Sequence, residues 1–120
     1  MWERFNILHY DFDLQGSEQS VDVILIIKTN SDFQYDSLPM NMVLKSPAGE
    51  ERIREFCMQF GKTNPLQEKL QSGDTIIYSM VLKKGLEIKT NGLLKIEIEN
   101  LNPRINTEGI YSAGIRLSFR

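Results

Sequence analysis

The chain has one cysteine and one histidine in 120 residues, and each scarcity removes a class of chemistry. One cysteine, Cys57, makes no internal disulfide and no cysteine-based zinc site. With His9 as the sole imidazole, a histidine-rich metal centre is out, and a Cys–His nucleophile would need these two residues to meet. No apolar run reaches the roughly 18 residues of a membrane helix; the longest, Val23–Ile27, is the length of a strand. Fourteen basic against sixteen acidic residues leave a net charge of -2, without the basic footprint of a nucleic-acid binder. No G-x-S-x-G, phosphate-cradling glycine loop or H-E-x-x-H occurs.

What remains is ordinary globular composition, 41% hydrophobic and 25% charged, which argues against disorder. The length suits one core, and residues 1–120 read as a single domain without repeat or linker. Apolar residues recur mostly at every second position. Leu8, Tyr10, Phe12 and Leu14 share one face of a strand, with His9, Asp11 and Asp13 on the other. Val21–Ile27 is β-branched and apolar on both faces, the pattern of a central strand. Leu38, Met40, Met42 and Leu44 mark another strand, which stops at the turn Ser46-Pro47-Ala48-Gly49.

Arg52–Phe60 fits two periods. Phe56, Met58 and Phe60 alternate as in a strand, whereas Ile53, Phe56, Cys57 and Phe60 fit a helical face; length and the short preceding turn favour the strand. Asn64-Pro65-Leu66-Gln67 reads as a helix start, with Asn64 as cap and Pro65 at the first helical position, and Gly73 ends about two turns. Thr75–Leu82 is a strand followed by a turn at Lys83-Lys84-Gly85. Asn91-Gly92 predicts a hairpin between Leu86–Thr90 and Leu93–Glu99. A polar loop with Pro103 leads to a last strand on Tyr111, Ala113, Ile115, Leu117 and Phe119. The expected fold is all-β: an antiparallel sandwich, jelly-roll-like, of seven to eight strands with one short helix.

Three sets of residues invite a functional reading. His9, Asp11 and Asp13 lie within reach of a shared cation, but no second cluster supplies further ligands, so they read as the wet face of their strand. Cys57, between Phe56 and Met58, reads as a small buried hydrophobe. Trp2, Phe33 and Tyr35 stand in or beside loops, where turning does not need aromatics. They are read first as plugs closing one end of the sandwich, and second as a contact surface for a sugar or a protein.

The order of motifs resembles the GldH family, the gliding-motility lipoproteins of Bacteroidetes. The resemblance lies in the strand ending IIKTN, the F-x-Y-D-S-L loop, the S-P-A-G-E turn and the closing E-G-I-Y-S-A-G-I-R-L. Lys28 matches the strand-end base, Phe33 and Tyr35 the aromatic pair, Leu38 the loop leucine, and Pro47 and Gly49 the turn. Gly109, Ile110, Gly114, Ile115 and Arg116 match the C-terminal signature. Ser37, Lys28 and Ala113 replace the commoner Asn, Arg and Val, and the segment around Gly61 lacks the family's Gly- and Trp-rich character. The resemblance implies a non-enzymatic domain without cofactor, lipid-anchored in the cell envelope at the periplasmic face or outer membrane. Its partners would be other envelope proteins of a motility or secretion complex, with a carbohydrate-binding accessory as the alternative. The membrane would be reached only through a lipid on an N-terminal cysteine. Cys57 lies too deep to be that residue, so Met1 would follow a removed segment.

Overall fold

The computed structural model describes residues 2–3, 6–15, 19–30, 33, 35–60, 67–102 and 106–119. Its strands are β1 (Trp2–Glu3), β2 (Leu8–Leu14), β3 (Gln19–Thr29), β4 (Ser37–Lys45), β5 (Glu51–Gln59), β6 (Gln67–Ser72), β7 (Thr75–Ile88), β8 (Gly92–Asn100), β9 (Asn106–Thr107) and β10 (Ile110–Phe119). Two four-stranded antiparallel sheets, ordered β2-β8-β4-β5 and β10-β3-β7-β6, make a sandwich, and β1 pairs with β9 as a small third sheet. The expected all-β sandwich is the fold observed.

Period-2 patterning explains the layers. Val21, Val23, Leu25 and Ile27 of β3 and Leu94, Ile96 and Ile98 of β8 have no exposed surface, and they share one core with Leu38, Met40, Leu44 and Met58. Each such side chain is worth about 1.5–3 kcal/mol on removal from water. The Arg52–Phe60 ambiguity resolves to a strand, because Phe56, Met58 and Phe60 all turn inward. Cys57 consequently turns outward and is exposed, against the expectation of burial.

Three local readings need correction. Residues 67–72 of the expected helix form strand β6, while Asn64, Pro65 and Leu66 lie outside the described residues. Gly73 does not end a helix; at φ 60° it is the first turn residue of the β6–β7 hairpin, the glycine position of a type II′ turn. Pairing with β7 outweighs a helix-start signal that rests on three or four residues. Second, the chain does not turn at Lys83–Gly85. β7 runs through it, and the extra residues form a bulge against β3, where the Gly85 amide donates to Asp22 Oδ1 at 2.8 Å. Third, Asn91-Gly92 joins no hairpin, because β7 and β8 belong to different sheets. The turn carries the chain across the end of the sandwich. There a Cβ on Gly92 (φ 137°) would stand 3.3 Å from Pro47 Cβ.

Both long sides of the sandwich are tied by side chains on edge strands. On one side the Tyr10 hydroxyl of β2 donates to the Ala113 carbonyl of β10 at 2.6 Å. On the other, Arg54 Nη1 of β5 donates to the Leu82 carbonyl of β7 at 2.7 Å. The Gln67 side-chain amide also pairs with both the N–H and the carbonyl of Gln59 on β5. Inward-directed polar groups on edges hold the sheets in register and discourage pairing with other chains.

Burial holds the Tyr10 hydroxyl above its ordinary value of 10.0. A raised tyrosine pKa favours the neutral form in the folded state, so this contribution is complete below pH 10.0 and is lost as pH rises through the folded value. Tyr10→Phe is expected to cost about 1 kcal/mol at neutral pH in urea unfolding. The same comparison above pH 10.0 should show wild type losing more stability than the variant; parallel profiles would exclude the bridging role.

Candidate functional site

The two signature segments, far apart in sequence, meet along β3 and β10. Thr29 pairs with Ile110, Lys28 with Ser112, Ile26 with Gly114, and Ile24 with Arg116. Just beyond the strands, the Asn30 amide donates to the Gly109 carbonyl at 2.8 Å, and the Phe33 amide donates to the Asn30 carbonyl. Gly109 adopts φ 87°, and a Cβ there would stand 2.5 Å from the Phe33 nitrogen. Only glycine permits this close backbone approach. The aromatic loop is thus seated on the C-terminal signature turn.

Phe33 and Tyr35 lie against each other with ring centroids 5.5 Å apart and planes at 47°. Phe33 also meets Phe60 edge-on at 4.5 Å, and Phe60 meets Tyr78 at 4.7 Å, carrying the contacts into the core. The Lys69 ammonium lies 5.7 Å from the Tyr78 ring centre. Trp2 is separate in role: it is 4% exposed, and its indole Nε1 donates to the Asn6 carbonyl at 3.0 Å. Trp2 therefore presents no open ring face, and Phe33 and Tyr35 are half-buried and tilted rather than coplanar. This geometry is that of end plugs, with little flat surface left for stacking on a sugar.

The other signature residues divide among three places: the core, the β4–β5 turn and an outer face. Leu38 is fully buried in the core, and Pro47 and Gly49 form the β4–β5 turn at the opposite end, closed by the Gly49 amide donating to the Ser46 carbonyl. Ile115 points inward and packs on the core. Lys28, Gly114 and Arg116 instead share the outer face of the β10-β3-β7-β6 sheet, where strand pairing sets them around Ile24 and Ile26. Ile77 stands beside Lys28, Val81 beside Ile24, and Leu70 beside Ile77, while Ser79 stands beside Ile26, so the apolar side chains form a strip interrupted by one serine. Ile24 is buried at 9% exposed, Ile26, Ile77 and Val81 are half-buried and Leu70 is 65% exposed, while nothing lies within 4 Å of a Cβ placed on Gly114. The strip is bordered by Lys28 and Arg116 on one side and Glu68 on the other.

The two outer faces of the sandwich are unlike. On the β2-β8-β4-β5 sheet, His9, Asp11, Lys95, Glu97, Asn41, Glu99 and Glu55 stand side by side, with Val43 and Ile53 a small apolar pair among them. His9 Nδ1 lies 3.4 Å from Glu97 Oε1. Among the described residues no group of three or more His, Cys, Asp or Glu is placed to hold a metal ion. His9 and Cys57 occupy the two opposite edge strands of this sheet, β2 and β5. They are not brought together.

The apolar strip was not singled out from the sequence, although its signal was present. Apolar residues on both faces of Val21–Ile27 are the pattern of a central strand and do not say whether both faces are covered. The structure buries one face in the core and turns the other outward on a two-layer fold, where Ile24 is only 9% exposed and Ile26 is half-buried.

The profile of the GldH lipoprotein family matches residues 1–117, nearly the full length. The chain belongs to the GldH lipoprotein family. Membership of a lipoprotein family carries with it a lipid-anchored place in the cell envelope. No curated protein and no solved structure matches the chain. Within this GldH-family fold the signature glycines have distinct tasks: Gly109 admits the Phe33 loop, and Gly114 faces open space beside the half-buried Ile26. Gly109→Ala is accordingly expected to cost on the order of 3 kcal/mol in denaturant unfolding, through strain and backbone contact. Gly114→Ala should cost less than about 1 kcal/mol. Equal effects would show that the close approach at Gly109 is not limiting.

Proposed function

We propose that this domain is a non-enzymatic scaffold of the envelope, binding other proteins of a gliding-motility or linked secretion assembly through the outer face of the β10-β3-β7-β6 sheet. The observation that carries this reading is the contrast between the faces. One carries mostly charged and polar side chains, with Ile53 and Leu93 as its exposed apolar residues, and the other sets Ile26, Ile77, Val81 and Leu70 around Ser79 and the buried Ile24, bordered by Lys28, Arg116 and Glu68. An apolar centre with a charged rim is the anatomy of a protein-binding patch. A lipid tether at the periplasmic face or outer membrane would hold such a patch near its partners and raise their effective concentration.

The non-enzymatic part of the proposal rests on the residues themselves. The single cysteine and single histidine stand at opposite edges of one sheet, so a Cys–His pair cannot form without refolding.

A photo-crosslinking amino acid at position 26, tested in cells, is expected to give adducts with envelope proteins of the motility or secretion assembly. The same group at position 97, on the opposite outer face, is expected to give few. Ile26→Glu should abolish gliding or secretion at unchanged protein abundance. Adducts only from position 97, or full function of Ile26→Glu, would refute the assignment of this face. Strong binding on a glycan array would point instead to a carbohydrate-contacting module.

A further inference from the structure

A second open surface lies on the side of the sandwich where β5 and β6 form the edges. β7 pairs with β3 along nearly its whole length, from Ile76 opposite Thr29 to Ile88 opposite Gln19. On its other side β6 covers only Thr75 to Met80. From Val81 to Ile88, β7 therefore has no strand partner on that side among the described residues, and Arg54 occupies a single carbonyl there, that of Leu82. Alongside this free edge runs a cleft of about 330 Å³. Its far wall is the signature turn with Pro47 and Ala48, and its walls also include the apolar side chains Leu44, Leu86 and Ile88.

The cleft borders β7 at Lys83 and Gly85–Ile88, along the stretch without a β6 partner, which fits an extended peptide. Free strand edges bind such segments by main-chain hydrogen bonds, with alternate side chains entering the groove. Its charge is uneven. Glu50 and Glu87 lie 3.9 Å from Arg52 and Lys89 respectively, whereas Lys83 and Lys84 have no carboxylate within salt-bridge reach among the described residues. Two lysines on a free edge repel a second copy of the same edge, since pairing it with itself would set like charges together. The same lysines attract an acidic strand. Like-charge exclusion and opposite-charge attraction together select one class of occupant.

We propose that the edge of β7 from Val81 to Ile88 accepts an extended, acidic segment of a partner protein as an added strand, continuing the line of β6. The segment lies between β7 and the Pro47–Ala48 turn, held by main-chain hydrogen bonds to β7, its carboxylates toward Lys83, which lines the cleft, and the exposed Lys84 next to it, above a floor of the buried Leu44, Leu86 and Ile88. This site shares only Val81 with the outer-face patch, through that residue's backbone edge rather than its side chain, and either can hold without the other.

The test uses the intact domain and a blocked synthetic peptide of alternating Glu and Val, long enough to span Val81–Ile88. Two controls accompany it: the same peptide with alternate backbone nitrogens methylated, and an alternating Lys and Val peptide. Amide chemical-shift titration is expected to show the Glu peptide perturbing residues 81–88 and the Pro47 turn. The methylated and Lys peptides should bind at least about tenfold more weakly. The double variant Lys83→Glu, Lys84→Glu, on the solvent side of a bulge, should reverse the charge preference while retaining the wild-type spectrum elsewhere. The proposal is overturned if the Glu peptide does not bind, if it perturbs another surface, or if methylation leaves binding unchanged. Retained crosslinking at position 26 alongside a failed titration would sink this inference alone.

Discussion

The fold depends on the face-to-face burial of two apolar stripes, one on β3 and one on β8. Val21, Val23, Leu25 and Ile27 meet the layer of Leu94, Ile96 and Ile98 with no solvent left on either. Everything else is arranged around keeping these stripes opposed. β10 and β7 flank β3, β2 and β4 flank β8, and the edge bonds from Tyr10 and Arg54 fix the spacing of the layers. A slip of one residue in either central strand would send its whole stripe outward. The alternation is thus both the source of stability and the source of register.

Once β3 is held in this way, the family signature acquires a spatial meaning. Pairing of β3 with β10 brings Lys28, Gly114 and Arg116 to one outer face and seats the Phe33 loop on Gly109. The aromatics then behave as a wedge between the end loop and the core, through Phe60 to Tyr78. The Pro47 turn, at the far end, serves a different region and packs against Gly92. Signature residues that look like one motif in the sequence thus belong to three sites: an end plug, an outer face and a cleft wall.

The strands that were legible are those whose inward side chains alternate without interruption, β2, β3, β4, β8 and β10, together with β7, which reads as two strands, Thr75–Leu82 and Leu86–Thr90, split at its bulge. β5 was legible only after length was weighed, because its N-terminal half is exposed on both faces and carries little apolar signal. β6 was not legible at all. Its residues Glu68 to Ser72 are exposed, so no apolar period marks it, and it is a strand only because β7 offers it an edge. Of the candidate residues, the burial of Trp2 and the seating of Phe33 were visible as end plugs. The outer strip was not, because an apolar residue on either face of a central strand gives the same letters whether a third layer covers it or not.

By itself the amino-acid sequence determined the all-β class, most strand positions, the hairpin turn at Pro47 and Gly49, and the family. These follow from period-2 burial, backbone-restricted residues and short motifs, all of which are local. Only the tertiary structure decided which sheet each strand joins, and with it that Asn91-Gly92 is a crossing rather than a hairpin. It also decided that Lys83–Gly85 is a bulge in one long strand, that Cys57 faces solvent, and that Ile26, Ile77, Val81 and Leu70 come together on one outer face. The physical reason is common to all of these: a strand's partners and the number of layers above it are set by contacts between distant segments, and no local pattern of residues records them.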